Sequence, residues 1–202
     1  MVDNFIQINS LINNSFSKVP DKSDAYYHLQ ILQRKKENPN SGSNSKLIKA
    51  YLIDENHSID YYKDRIIRYC NEFNARAYIN PSPKSKRATA IQMLNEIADC
   101  FRKNDFNYLQ RLWDSSAGKV GAIDKYWVID CDYSDTFNDR TINDVVNFID
   151  RECMPEGSKF VACIPTKNGK HIITKPFDLQ HFKTVYPDIE VHKNNPTVLY
   201  IP

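Results

Sequence analysis

Tyr126-Trp-Val-Ile-Asp-Cys-Asp132 reads as a buried β-strand that ends on two carboxylates. Side chains alternate across a strand, so Asp130 and Asp132 share one face while Trp127, Ile129 and Cys131 share the other. Two acids so close repel each other, and the pKa of one would rise unless a cation neutralised them. A D-x-D that closes an apolar strand therefore predicts a Mg²⁺ or Mn²⁺ site, because Mg²⁺ takes one or two protein carboxylates and fills its octahedron with water and substrate phosphates. Next outward, Thr166-Lys-Asn-Gly-Lys-His-Ile-Ile-Thr174 predicts a tight turn at Asn168-Gly169 feeding a strand that begins with His171. Together the two stretches point to metal-assisted chemistry on phosphate.

The flanking segments set the frame. Thr141 is an expected N-cap, with Asp144 completing a capping-box-like start, for a helix carrying Ile142, Val145, Val146 and Ile149. Lys159–Pro165 and His171–Lys175 read as hairpin strands, Asp178 as the cap of a short helix, and Ile189–Lys193 and Thr197–Ile201 as closing strands. That order is β-α-β-β-α-β, the ferredoxin-like or RNA-recognition-motif-like pattern. Before it, residues 1–23 read as a short helix and tether. The 24–37 segment reads as a helix, with Ala25, Leu29 and Leu32 on one side, breaking at Asn38-Pro-Asn-Ser-Gly42. Lys46–Asp54 and Arg76–Asn80 read as strands. Tyr61–Phe73 and Ala88–Phe101 read as amphipathic helices, the second with Ile91, Leu94, Ile97, Ala98 and Phe101 on its stripe. A polar linker with a short helix at 105–114 follows. The expectation is an α+β protein, with an N-terminal β-α-β-α unit over 24–122 fused to an RNA-recognition-motif-like unit over 123–202 and an active-site cleft between them.

Composition narrows the classes. Hydrophobic residues at 41% and aromatic residues at 12% exclude general disorder, and a net charge of only +2 excludes a polycationic nucleic-acid binder. Any nucleic-acid surface must be local. The five cysteines form no C-x-x-C, which predicts reduced thiols rather than disulfides or structural zinc. The N-terminus has no basic-then-apolar signal pattern and no apolar run approaches membrane-spanning length, so the expectation is a cytoplasmic protein with no membrane partner, in the host cytoplasm if the source is viral.

Around the paired acids, His171 is the expected contact to nucleotide phosphate, with Lys167 and Lys170 flanking the turn beside it. Glu190, alternating with Ile189 and Val191, would supply a third carboxylate, and Asp188 is its substitute. Arg34-Lys35-Lys36, Lys46, Lys49, Arg76, Lys84, Lys86 and Arg87 load the first half with positive charge suited to a triphosphate or a nucleic-acid backbone. Lys46 and Arg76 are the phosphate-binding candidates from that set. Each feature has an ordinary reading too: acids close strand ends, hairpin histidines are often idle, and lysines at turns and helix ends are usually solvated. His28, His57, His181 and His192 have no spacing that singles them out.

This order of features resembles the archaeo-eukaryotic primase superfamily. Its primases and primase-polymerases pair an N-terminal αβ unit with an RNA-recognition-motif-like unit and work in the cleft between them. The resemblance implies that Asp130 and Asp132 match the metal-binding motif and that His171 matches the histidine that meets incoming nucleotide phosphate. It also implies that Glu190 stands where the family has a final aspartate. The basic residues that often follow that last motif are missing here, where Asn194-Asn-Pro-Thr197 follows. The segments Asn44–Lys49, Phe73–Ala77 and His192–Thr197 also look like a group of small proteins of the Bacteroidetes-phage type, which implies no activity. The expected function is metal-dependent nucleotidyl transfer with Mg²⁺ or Mn²⁺, on nucleoside triphosphates and single-stranded DNA or RNA, alongside separate replication proteins. The alternatives are a non-catalytic binder of a nucleotide or signalling molecule that counters host defence, and a metal-dependent nuclease.

Overall fold

A computed structural model describes residues 1–39, 42, 44–134 and 137–202. Part of the expected break at 38–42, and Asp135 of the turn after the D-x-D strand, lie outside the described residues. In chain order the elements are β1 (Val2–Asp3), α1 (Phe5–Phe16), β2 (Ala25–Arg34), β3 (Ser45–Ile53), α2 (Ile59–Glu72), β4 (Arg76–Ile79), β5 (Lys84–Ser85) and α3 (Lys86–Lys103). After a 3-10 turn at Leu109–Arg111 come α4 (Leu112–Lys119), β6 (Trp127–Asp132), α5 (Asp139–Glu152), β7 (Phe160–Pro165), β8 (Gly169–Thr174), α6 (Leu179–Val185), β9 (Glu190–His192) and β10 (Thr197–Ile201). The fold is α+β, with two antiparallel sheets.

The second sheet runs β7-β8-β6-β9, every pair antiparallel. This is the strand order of a ferredoxin-like unit. Period-two alternation divides its two faces. Trp127, Ile129 and Cys131 of β6, with Ile172 of β8, pack under Ile142, Val145 and Ile149 of α5 and Phe182 of α6. Val128 of β6, Ile164 of β7 and Ile173 of β8 point the other way, into a core shared with α1, α2 and the first sheet. The two units therefore share one core, and the face that carries Asp130 is the face turned toward the first unit.

The first sheet runs β1-β10-β4-β2-β3, with β5 added to β2. Two of its strands differ from expectation. Residues 25–34 form β2, not a helix. Ala25, Leu29 and Leu32 do fit a helical step, but Tyr27, Leu29 and Ile31 fit a strand equally well, and they are the ones that enter the core. β2 is paired by β3, β4 and β5 and is buried on both faces over its first five residues, so no polar alternation marks it as a strand. β10, expected to close the second unit, instead lies between β1 and β4. All five of its residues are buried; a central place in the first sheet covers both its faces, which an edge beside β9 would not.

Helix boundaries follow local chemistry. Ser58 and Ser85 cap α2 and α3 by accepting from the Tyr61 and Ala88 amides, and Asp178 caps α6 as expected. α5 starts one turn earlier than expected because Asn138, not Thr141, is its cap, accepting from the amides of Arg140 and Thr141. α3 is rotated relative to its expected stripe: Thr89 and Cys100 are buried while Ile91, Leu94 and Phe101 are exposed. The Thr89 hydroxyl, 2.9 Å from the Tyr26 hydroxyl, ties that side of the helix to β2. α1, expected with a tether, buries Phe5, Ile8, Leu11 and Ile12. All five cysteines are free thiols, and burial pushes Cys131 up to about 12. Among the described residues, no helix is long and apolar enough to cross a membrane.

Candidate functional site

The site is built on the last residues of β6. Antiparallel register sets Asp130 opposite His171 of β8 on one side and Glu190 of β9 on the other. Directly opposed residues share a face, so these three side chains and Asp132 all rise from the face that also carries Val128. β9 begins at Glu190, so Cys131 and Asp132 run past it without a strand partner on that side. A pocket of about 540 Å³ opens in the notch, walled by β6, by Phe137 and Thr141 at the entry to α5, and by the segment joining α6 to β9. Asp130, Asp132, Asp188 and Glu190 line it, and no lysine or arginine does among the described residues.

His171 is held from both ring nitrogens. Nδ1 lies 2.8 Å from the Thr197 hydroxyl on β10, and Nε2 lies 3.5 Å from Asp130 Oδ1. The hydrogen bond from His171 holds the Asp130 carboxyl below its ordinary value, more than offsetting the upward push of burial, and the charges of His171 and His192 act in the same direction. Asp130 is thus kept ionised. Beside Thr197, Asn4 of the first unit donates from Nδ2 to the Pro165 carbonyl at 2.8 Å and the Val198 carbonyl at 3.0 Å, clamping the end of β7 to β10. The strand bearing His171 is therefore tied to the first sheet by the Thr197 contact, and its neighbour β7 by Asn4.

Gly169 explains the close approach of β8 to β6. It pairs with Asp132, and a Cβ placed on it would lie 2.0 Å from the Cys131 carbonyl oxygen and 2.8 Å from Asp132 Cα. The hairpin turn occupies residues 166–168, closed by the Thr166 amide on the Gly169 carbonyl at 2.9 Å, and Gly169 is already the first strand residue. The expected Asn168-Gly169 turn is displaced by one residue. Glycine is needed here for lack of a side chain, not for a positive φ, which among the glycines belongs only to Gly157.

The expected residues divide into those gathered here and those held elsewhere. Asp130, Asp132, His171 and Glu190 come together on one face, and Asp188 lies in the pocket wall. Glu190 is 72% exposed and turns to His192, 3.2 Å away. Lys167 is exposed in the turn next to Gly169. Lys170, opposite Cys131, occupies the helix-covered face and pairs with Asp139 at 2.8 Å, which raises its pKa. Arg76 is bound to Glu37 at the end of β4 far from Ile79, the partner of Thr197, and Lys46 sits on the outermost strand β3. Sequence reasoning missed Thr197, Asn4 and His192. The His192 signal was there, since it alternates with Glu190; Thr197 and Asn4 act through contacts that cross the whole chain.

A divalent ion fits the donor set only in part. Two carboxylates on one face suffice for Mg²⁺ when substrate and water complete the shell. A closed protein cage is not present: among the described residues no three His, Cys, Asp or Glu side chains are grouped as metal ligands. No protein-family model, curated protein or solved structure matches this chain, so the functional reading rests on the geometry of the β6 site itself.

Proposed function

We propose that the chain is a metal-dependent nucleotidyl transferase of primase-polymerase type, acting on nucleoside triphosphates and single-stranded nucleic acid. The observation that supports this reading most is Asp130, kept ionised by a histidine that β10 holds in place, beside Asp132 at the mouth of an acidic pocket. Asp130 and Asp132 would hold a Mg²⁺ or Mn²⁺ ion, whose chemistry is to neutralise triphosphate charge and activate the attacking hydroxyl. With Asp130 turned to the ion, His171 Nε2 would be released to steady a phosphate oxygen, its ring fixed by the Thr197 hydroxyl on Nδ1. Lys167, exposed in the turn before Gly169, would meet phosphate.

A second reading is favoured by Glu190, which turns to His192, so that among the described residues no third carboxylate is grouped with the paired aspartates as a metal ligand. On that reading the pocket binds a nucleotide or signalling molecule without turnover. One assay separates the two: purified protein with Mn²⁺ or Mg²⁺, labelled nucleoside triphosphates and a primed or unprimed single strand, resolved on a gel. Extended product, lost in the Asp130→Asn/Asp132→Asn variant, is the expected result. Saturable nucleotide binding with no product would establish the binder, and a shortened strand would establish a nuclease.

A further inference from the structure

The first sheet ends at β3, whose outer edge has no strand partner among the described residues. α2 packs on the sheet against β2, β4 and β10. Between α2 and β3 runs a groove of about 520 Å³, lined by β3 from Lys49 to Leu52 and by Tyr62, Arg65, Arg68 and Tyr69 of α2. Lys49, Arg65 and Arg68 are exposed, and among the described residues no carboxylate lies within ion-pair distance of any of them. Asp64 and Glu72 share the helix with the arginines but pair with neither. The arginines instead sit over rings, Arg65 at 5.7 Å from the Tyr61 centroid and Arg68 at 5.3 Å from that of Tyr69.

The rings form a ladder. Tyr62 lies tilted against Tyr51, with centroids 4.4 Å apart and planes 33° apart, and stacks on His57 at 6.1 Å and 23°. Tyr61 meets both Tyr62 and His57 edge-on and is 58% exposed. We infer that this groove binds single-stranded nucleic acid, with phosphates against Lys49, Arg65 and Arg68 and bases continuing the ladder on Tyr61 and His57. Cations answer the backbone charge and aromatic faces answer unpaired bases, the combination that non-specific single-strand binders use. A duplex keeps its base faces stacked inside and would leave the rings without a partner. An acidic peptide would satisfy the arginines but not the ladder.

The groove is separate from the β6 pocket. β3 lies three strands across the first sheet from β10, about 14 Å at the usual spacing of strands. Binding here does not depend on chemistry at Asp130.

The test is fluorescence anisotropy of the full chain with labelled oligothymidylate over a range of salt concentrations. Arg65→Ala/Arg68→Ala removes two phosphate contacts; its affinity should fall about tenfold or more and its log–log salt slope should flatten by roughly 1.4, at about 0.7 per phosphate. Tyr61→Ala should cost roughly tenfold from one lost stacking platform. Circular dichroism confirms that these exposed substitutions leave the fold intact. The titrations are run without divalent metal or nucleoside triphosphate, so strand binding is read whether or not transfer occurs and failure of the nucleotidyl-transfer reading is seen separately. Unchanged affinity and slope in the double arginine variant would overturn the inference. It would also be overturned by heparin binding as well as the oligonucleotide with no effect of Tyr61→Ala, or by an acidic peptide occupying the groove where the oligonucleotide does not.

Discussion

Replacing Gly169 with alanine tests whether the site depends on how closely β8 approaches β6. The new methyl would lie 2.0 Å from the Cys131 carbonyl oxygen, and its other near neighbours, Asp132 Cα and the Cys131 carbonyl carbon, are also backbone. Ordinary contact begins near 3.4 Å. The two strands must therefore separate by about 3.4 − 2.0 = 1.4 Å, since no flexible side chain can yield in their place. Overpacking of this kind costs about 1–3 kcal/mol. Separation also weakens the Tyr133 amide bond to the Asn168 carbonyl, 2.9 Å long, at about 1 kcal/mol. The expected loss is about 2–4 kcal/mol, a large part of a typical domain's stability of roughly 5–15 kcal/mol. Thermal melts should show a fall of roughly 4–16 °C at about 2–4 °C per kcal/mol. Gly118, in α4, has nothing within 4 Å of an added methyl, so Gly118→Ala is the control and should be neutral or more stable by up to about 1 kcal/mol. A Gly169→Ala protein that melted with the parent would refute the argument that strand contact, and through it the His171–Asp130 geometry, is set by the missing side chain.

Two further outcomes follow from the polar links. Asp130 has a folded-state pKa below its ordinary value, so its contribution to stability is fully present above the unfolded carboxylate pKa and fades as pH falls through the lower folded value. Urea titrations of Asp130→Asn and parent should therefore diverge near neutrality and converge in acid; a constant gap down to strongly acidic pH would count against the His171 contact. Asn4→Ala removes both donations from Nδ2 and leaves the Pro165 and Val198 carbonyls short of a partner, so it should cost about 1–3 kcal/mol. Equilibrium unfolding reads this directly, and a loss under about 0.5 kcal/mol would show that the clamp between β7 and β10 carries no weight.

Local pattern was enough for several elements. Tyr126–Asp132 announced a buried strand through an apolar run, and alternation alone put Asp130 and Asp132 on one face, as the register bears out. α2 was legible from Tyr62, Ile66 and Cys70 at helical steps, and α6 from Asp178. Those signals are short-range, and they survive in the fold because nothing distant competes with them. β2 was not legible. Its apolar residues fit either period, and only pairing with three other strands decided between them. The stripe of α3 was misjudged for a related reason, because Tyr26 anchors the Thr89 side of the helix and turns Ile91, Leu94 and Phe101 to solvent.

By itself the sequence determined the α+β class, the ferredoxin-like order of the second unit and the chemical character of the β6 end. These depend on side-chain alternation, turn residues and caps, which act within a few positions. Only the tertiary structure decided that β10 leaves the second unit for the first sheet, bringing Thr197 to His171, and that Asn4 reaches Pro165 of the second unit, 161 residues away. It also decided that Arg65 and Arg68 of α2 line one groove with β3 beside the Tyr51 and Tyr62 rings. Such pairings depend on burial on both sides of a strand and on which edges remain open, and neither is a property of any local stretch of chain.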